Sequence, residues 1–206
     1  MHRLMGKVAE TSRRSSGKGI NITDTISGII EEIVRHSDQF RHIDPAMIHI
    51  CMASNRKGSG GATFGKLVPL KFKNGESLLR YRGRIYAMPR VVHEGRDVLY
   101  IIYFYTPRFL DLSAREKLRV IFHELYHISP EFNGDIRRFG KVKASHGSSK
   151  KRYDSLFENE VERFYEYITT TPYINFLSMN TLELKNTFHK IYCSRMKQPR
   201  PVQIRN

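Results

Sequence analysis

The stretch Val120-Ile121-Phe122-His123-Glu124-Leu125-Tyr126-His127-Ile128 decides how this chain is read. Residues four apart on a helix share a face, so His123 and His127 present two imidazoles that can reach one metal ion. Glu124 follows the first of them, which sets its carboxylate beside a metal-bound water rather than on the metal. Zinc lowers the pKa of such a water towards roughly 7, and a carboxylate then takes its proton as it attacks a carbonyl. The residues therefore predict a zinc-dependent metallopeptidase, with Zn2+ as cofactor, His123 and His127 as ligands and Glu124 as general base.

A catalytic zinc needs a third protein ligand and one open position. The extension HExxHxxGxxH fails, because Pro130 and Asn133 stand where Gly and His are required. His146, in Ala144-Ser145-His146-Gly147, is the leading candidate, since Gly147 permits a close approach of the loop. Its competitor is a carboxylate from the next helix, where Asp154, Glu158, Glu160 and Glu162 stand.

Working outward from the motif, Ser113 and Glu116 form a capping box that starts the helix, and Ser129-Pro130 ends it. The preceding run Val98–Thr106 is apolar, β-branched or aromatic on both faces, as a central strand should be. Strands are also expected at Met47–Ala53, Leu67–Phe72 and Arg84–Val92, with Glu94-Gly95-Arg96-Asp97 turning the chain into Val98–Tyr105 as a hairpin. Ile26, Ile29, Ile30, Ile33 and Val34 recur at helical spacing, so a first helix capped by Thr23 or Asp24 runs to about Phe40. Further helices are expected over Tyr153–Ile168 and Leu182–Arg195. The Gly-rich segment 54–66 lacks the GK[ST] of a phosphate-binding loop and reads as a connection between strands.

The bulk properties narrow the class. With 206 residues and a hydrophobic fraction of 40%, the chain suits one domain with a real core rather than disorder. No run of eighteen apolar residues predicts a membrane span, and the basic N-terminus lacks the apolar segment of a secretory signal. Cys51 and Cys193 lie in no CxxC pair and read as free thiols in a reducing cytoplasm. Lys and Arg total 35 against 20 Asp and Glu, a net charge of +15, which favours contact with polyanions, chiefly nucleic acid.

The run HELYHISPEFNGDIRRFG from His123, followed by His146-Gly147, resembles metallopeptidases found in phages and in archaeal and bacterial genomes. The resemblance covers about residues 98–155 and is strongest between His123 and His146. It implies a zincin-type α+β fold and zinc-peptidase activity, with His123, His127 and His146 as ligands and Glu124 as base. The same order is similar to that of SprT-like proteases, which cleave proteins bound or crosslinked to DNA. Here the gap to the third His is longer, and no four-Cys ribbon follows. In ImmA/IrrE-like peptidases, which act on repressors, the helix after HExxH supplies a Glu. Glu158, Val161, Phe164 and Tyr165 match that spacing loosely, with Val161 and Glu162 replacing Ala and Asn.

These readings converge on a basic flexible arm over 1–20, a single zincin-like α+β domain over 21–196, and a basic tail over 197–206. The HExxH helix packs on a small mixed or antiparallel sheet, and an edge strand from the 84–105 region takes a peptide or protein substrate by strand addition. Tyr153, Arg137 or Arg138 would stabilise the oxyanion. Nucleic acid would bind through Arg13, Arg14 and Lys18 of the arm and Lys197, Arg200 and Arg205 of the tail. The rival reading is a basic nucleic-acid-binding protein whose zinc site is structural or vestigial.

Overall fold

The computed structural model describes residues 19–54, 63–138 and 153–205. The elements run β1 (Ile20–Asn21), α1 (Ile22–His36), β2 (Ile48–Ser54), β3 (Gly65–Pro69), β4 (Leu78–Tyr81), β5 (Arg84–Ala87), β6 (Val92–His93), β7 (Arg96–Asp97) and β8 (Tyr100–Thr106). They continue as α2 (Ala114–Tyr126), α3 (Glu158–Ile168), α4 (Tyr173–Ser178), α5 (Thr181–Thr187), β9 (Ile191–Tyr192) and β10 (Val202–Arg205). This is an α+β fold with one mixed and one antiparallel three-stranded sheet.

The main sheet has the order β2-β8-β3, with β2 parallel and β3 antiparallel to β8. Alternation along β8 sorts its side chains onto two faces. Tyr100, Ile102 and Phe104 join Ile48, Ile50 and Met52 of β2 in the main core, beneath Ile26, Ile29, Ile30 and Ile33 of α1 and Leu118, Ile121, Phe122 and Leu125 of α2. Ile101 and Tyr103 face the other way, where they meet Cys51, Val68, Leu70 and Val98. A strand buried on both faces reads as a continuous apolar run, and β8 is indeed central.

Several boundaries differ from expectation for local reasons. The cap of α1 is Asn21, whose side chain accepts from the Thr23 and Asp24 backbones; the helix stops at His36 and a separate 3-10 turn carries Asp38–Phe40. The helix expected from Tyr153 starts at Glu158. The one expected over Leu182–Arg195 is the short α5 alone, which starts at the capping box of Asn180 and Glu183 and ends at Thr187, where Phe188 turns extended. The chain then extends into β9, parallel to β1. Glu94 and Gly95 do make a tight turn, but between the short β6 and β7. The basic tail adds β10 to β5, so β5 lies in the middle of a sheet of order β10-β5-β4. β5 and β8 are thus both central in their sheets; the edges of the main sheet are β2, whose Met52 N–H donates to the Ser194 carbonyl at 2.9 Å, and β3. Both cysteines are free thiols, and no helix among the described residues is long and apolar enough to cross a membrane.

The seat of α2 includes one charged group. Lys117 is fully buried, and its Nζ donates to the Leu177 carbonyl at 2.7 Å and the Met179 carbonyl at 2.6 Å, tying α2 to the end of α4. Burial pushes its ammonium pKa down to about 8 from 10.5, against the opposing pull of Asp111 and Glu183. Between these two values the unfolded chain keeps a proton that the folded chain has released, so stability rises with pH across that window. The gain expected from Lys117 is on the order of 3 kcal/mol. Urea unfolding of the wild type and Lys117→Met from about pH 7.5 to 10.5 checks this. The wild type should gain on the variant as pH rises, and a constant difference would refute the assignment.

Candidate active site

The capping box seen from sequence is formed: Glu116 N–H donates to Ser113 Oγ, and Ser113 N–H donates to a Glu116 carboxylate oxygen at 3.0 Å. From this fixed start α2 runs to Tyr126, and His127 is its C-cap, with its N–H on the Glu124 and Leu125 carbonyls. The chain leaving the helix is held at once. Arg137 N–H donates to the His127 carbonyl at 2.7 Å, and Ile128 bridges Ile136. The Tyr100 hydroxyl of β8 donates to the Asp135 carbonyl at 2.9 Å and accepts from Gly134 N–H at 2.9 Å. Gly134 has φ +84 and no room for a side chain, since a Cβ would lie 2.5 Å from Lys71 Cγ. The end of the motif helix is thus anchored to the central strand.

The two imidazoles converge. His123 Nε2 and His127 Nε2 are 3.2 Å apart. Their other nitrogens are taken by consecutive residues: Asp154 Oδ1 lies 2.8 Å from His123 Nδ1, and the Tyr153 hydroxyl lies 2.9 Å from His127 Nδ1. The Tyr153 ring also stacks on His127 at 5.0 Å between centroids. One set of tautomers satisfies all three contacts. A carboxylate only accepts, so His123 Nδ1 carries a hydrogen and its Nε2 accepts. His127 Nε2–H then donates to it, and His127 Nδ1 accepts from the Tyr153 hydroxyl. Burial, reinforced by the charge of Glu124 and opposed by Arg137, raises the Tyr153 pKa far above the ordinary phenol range, so its proton is retained.

Glu124 is buried on the side facing β3. Gly65 makes this possible: a Cβ there would lie 2.7 Å from Glu124 Oε1 and 2.8 Å from its Cγ. Tyr105 of β8 is near enough that Glu124, after burial itself, raises its phenol pKa.

The remaining candidates lie elsewhere. Glu158 pairs with Arg119, one helical turn before His123. Glu160 accepts from Ser37 and pairs with Arg163, and Glu162 pairs with Arg115. Arg137 donates from Nε to the Tyr126 carbonyl and lies 4.3 Å over its ring, while Arg138 clamps Asp135. The arginines expected to hold an oxyanion therefore brace the turn after α2. His146 lies outside the described residues.

The zinc reading is corrected here. Among the described residues, no group of three or more His, Cys, Asp or Glu side chains is arranged to hold a metal ion. The acids close to the imidazole pair are already committed. Asp154 is turned onto His123 Nδ1, Glu124 lies against Gly65, and Glu158 is held by Arg119. The expected zinc metallopeptidase centre, its Zn2+ cofactor and its metal-activated water thus find no donor set among the described residues, and neither does a structural or vestigial zinc site.

Sequence reasoning underrated Asp154 and misjudged Tyr153. Asp154 was weighed only as a metal donor and Tyr153 only as an oxyanion donor, whereas both orient imidazoles. Their adjacency in the chain was the available signal.

The family model described as "Putative phage metallopeptidase" matches residues 21–192, and the chain belongs to that family. No curated protein and no solved structure matches it.

The fit of Glu124 against Gly65 is testable by a double-mutant cycle. Gly65→Ala should destabilise the protein by about 1–3 kcal/mol through overpacking. In a Glu124→Ala background, where Cγ and the carboxylate are gone, most of that cost should vanish. Equal costs in both backgrounds, measured by urea unfolding, would show that the carboxylate does not occupy this space.

Proposed function

We propose that this member of the phage metallopeptidase family hydrolyses peptide bonds at the centre formed by His123, Glu124, His127, Tyr153 and Asp154. The observation that carries the reading is the convergence of the two Nε2 atoms, each imidazole oriented from behind, beside a buried carboxylate. Attack of water on an amide needs a proton acceptor, a donor to the developing oxyanion and a proton for the departing amine. Glu124 takes the proton from the attacking water and returns it to the amine. His127 Nε2–H, with its tautomer fixed by Tyr153, turns from His123 towards the oxyanion. Asp154 holds His123 in the tautomer that leaves its Nε2 lone pair facing the site.

The substrate is a peptide or protein segment in extended form. Support comes from β3, an edge strand of the main sheet that begins at Gly65, directly against Glu124. A strand added there would carry its carbonyls past the carboxylate. A helix bearing the reactive groups across a sheet with such an edge also supports a zincin-like reading of the fold.

Glu124→Gln keeps the shape and removes the base. It should lower the turnover of an unfolded protein substrate by at least about 100-fold while leaving the urea midpoint within error. Turnover by this variant at the wild-type rate would overturn the proposal.

A further inference from the structure

The small sheet β10-β5-β4 is unlike the rest of the molecule. All four residues of β4 are exposed, and none of β5 is fully buried. A sheet with neither face in a core ordinarily carries polar residues on both, yet Leu78 is 52% exposed, Tyr81 53% and Val202 53%. Its charge is one-sided: residues 78–93 include Arg80, Arg82, Arg84 and Arg90 and no Asp or Glu. Arg90 is paired with Asp97. Among the described residues, Arg80, Arg82 and Arg84 have no carboxylate partner.

The register places the side chains. Leu79 opposes Tyr86 and Tyr81 opposes Arg84, while Gln203 of β10 opposes Tyr86 on the far side. Opposed residues share a face, so Tyr81, Arg84 and Tyr86 stand together on one of them. Tyr81 and Tyr86 are diagonal neighbours, a separation of about 7–8 Å. The turn joining β4 to β5 is Arg82-Gly83, both with positive φ, at 48° and 77°. That first position ordinarily falls to Asn, Asp or Gly. An arginine kept there is pushed out at the tip of the hairpin, with its guanidinium 5.2 Å from the Tyr81 ring centroid.

We infer that this face binds single-stranded nucleic acid. Two tyrosines at diagonal spacing offer stacking platforms for unpaired bases, while Arg84 on the same face and Arg82 at the hairpin tip meet the phosphates; Arg80, opposite Ile85, belongs to the other face. A polyanion also matches the +15 charge of the chain. Duplex does not fit, since its bases are already stacked and withheld from the rings. The surface shares no residue with the imidazole centre, and the proposed hydrolysis does not depend on it.

The test is fluorescence anisotropy of the full chain with labelled 12-nucleotide oligo-dT, oligo-U and a hairpin duplex over a range of salt. Tighter binding of either single strand than of the duplex is expected. The combined change Arg82→Gln and Arg84→Gln should reduce the slope of log affinity against log salt by about 1.4, at about 0.7 for each phosphate contact. The two Lys replacements should preserve that slope. Tyr81→Ala should weaken binding about tenfold without changing the slope, and Tyr81→Phe should not weaken it. Urea unfolding of each variant verifies that the fold is kept. Duplex bound as tightly as single strands would overturn the inference, as would wild-type affinity and slope in the double Gln variant.

Discussion

The seating of α2 on the main sheet sets the direction of every group at the candidate site. Leu118, Ile121, Phe122 and Leu125 are fully or almost fully buried, and their side of the helix is pressed onto the core. With about 100° per residue, that choice leaves His123 and His127 about 40° apart on the flank and turns Glu124 towards β3. Rotation by one residue would bury an imidazole and release a leucine. The apolar packing that stabilises the fold is thus also what aims the site. Lys117 adds a polar latch to the same seat, with its ammonium spanning the Leu177 and Met179 carbonyls. A buried amine is costly unless its hydrogens are used, and here two carbonyls at the end of α4 use them.

Much of this was legible in the sequence because it is local. The capping box at Ser113 and Glu116, the apolar spacing of α1 and the two-sided apolar run of β8 are short-range patterns with direct physical meaning. The adjacency of His123 and His127 is likewise a property of helical geometry. What could not be read was pairing at a distance. Nothing near Val202 announces that the tail will join β5, and nothing near Gly65 announces that its missing side chain makes room for Glu124. Both are facts about which strand lies beside which element, and the order of such neighbours is set by the whole core.

The zinc expectation illustrates the same limit in a sharper form. Spacing supplies two donors with confidence, because i and i+4 are fixed by the helix. A third must come from another part of the chain, and its identity depends on where each nearby acid finds its own partner. Glu158 has the right spacing but meets Arg119, so its charge is spent one turn too early along α2. Asp154 reaches the right imidazole but at Nδ1, which makes it an orienting group. In each case the competing hydrogen bond decides the role, and residue type alone is silent about it.

The charge of the chain is divided unevenly, and that division bears on what each region can do. Between α2 and α3 the acids meet arginines, as with Arg119 and Glu158 or Arg115 and Glu162, while Asp154 is turned onto His123. On β4 and β5 the arginines have no such partners among the described residues, and the Tyr81 ring among them is open to solvent. Exposed pairs of opposite sign contribute little to stability, so leaving them out costs the fold little. Unbalanced charge, by contrast, is felt out to about 8–10 Å at moderate salt and is what a polyanion would meet first. A chain that pairs its charges between two helices and leaves them unpaired on a separate sheet concentrates its long-range attraction on that sheet. The tautomers at His123 and His127 are set locally, by Asp154 and the Tyr153 hydroxyl.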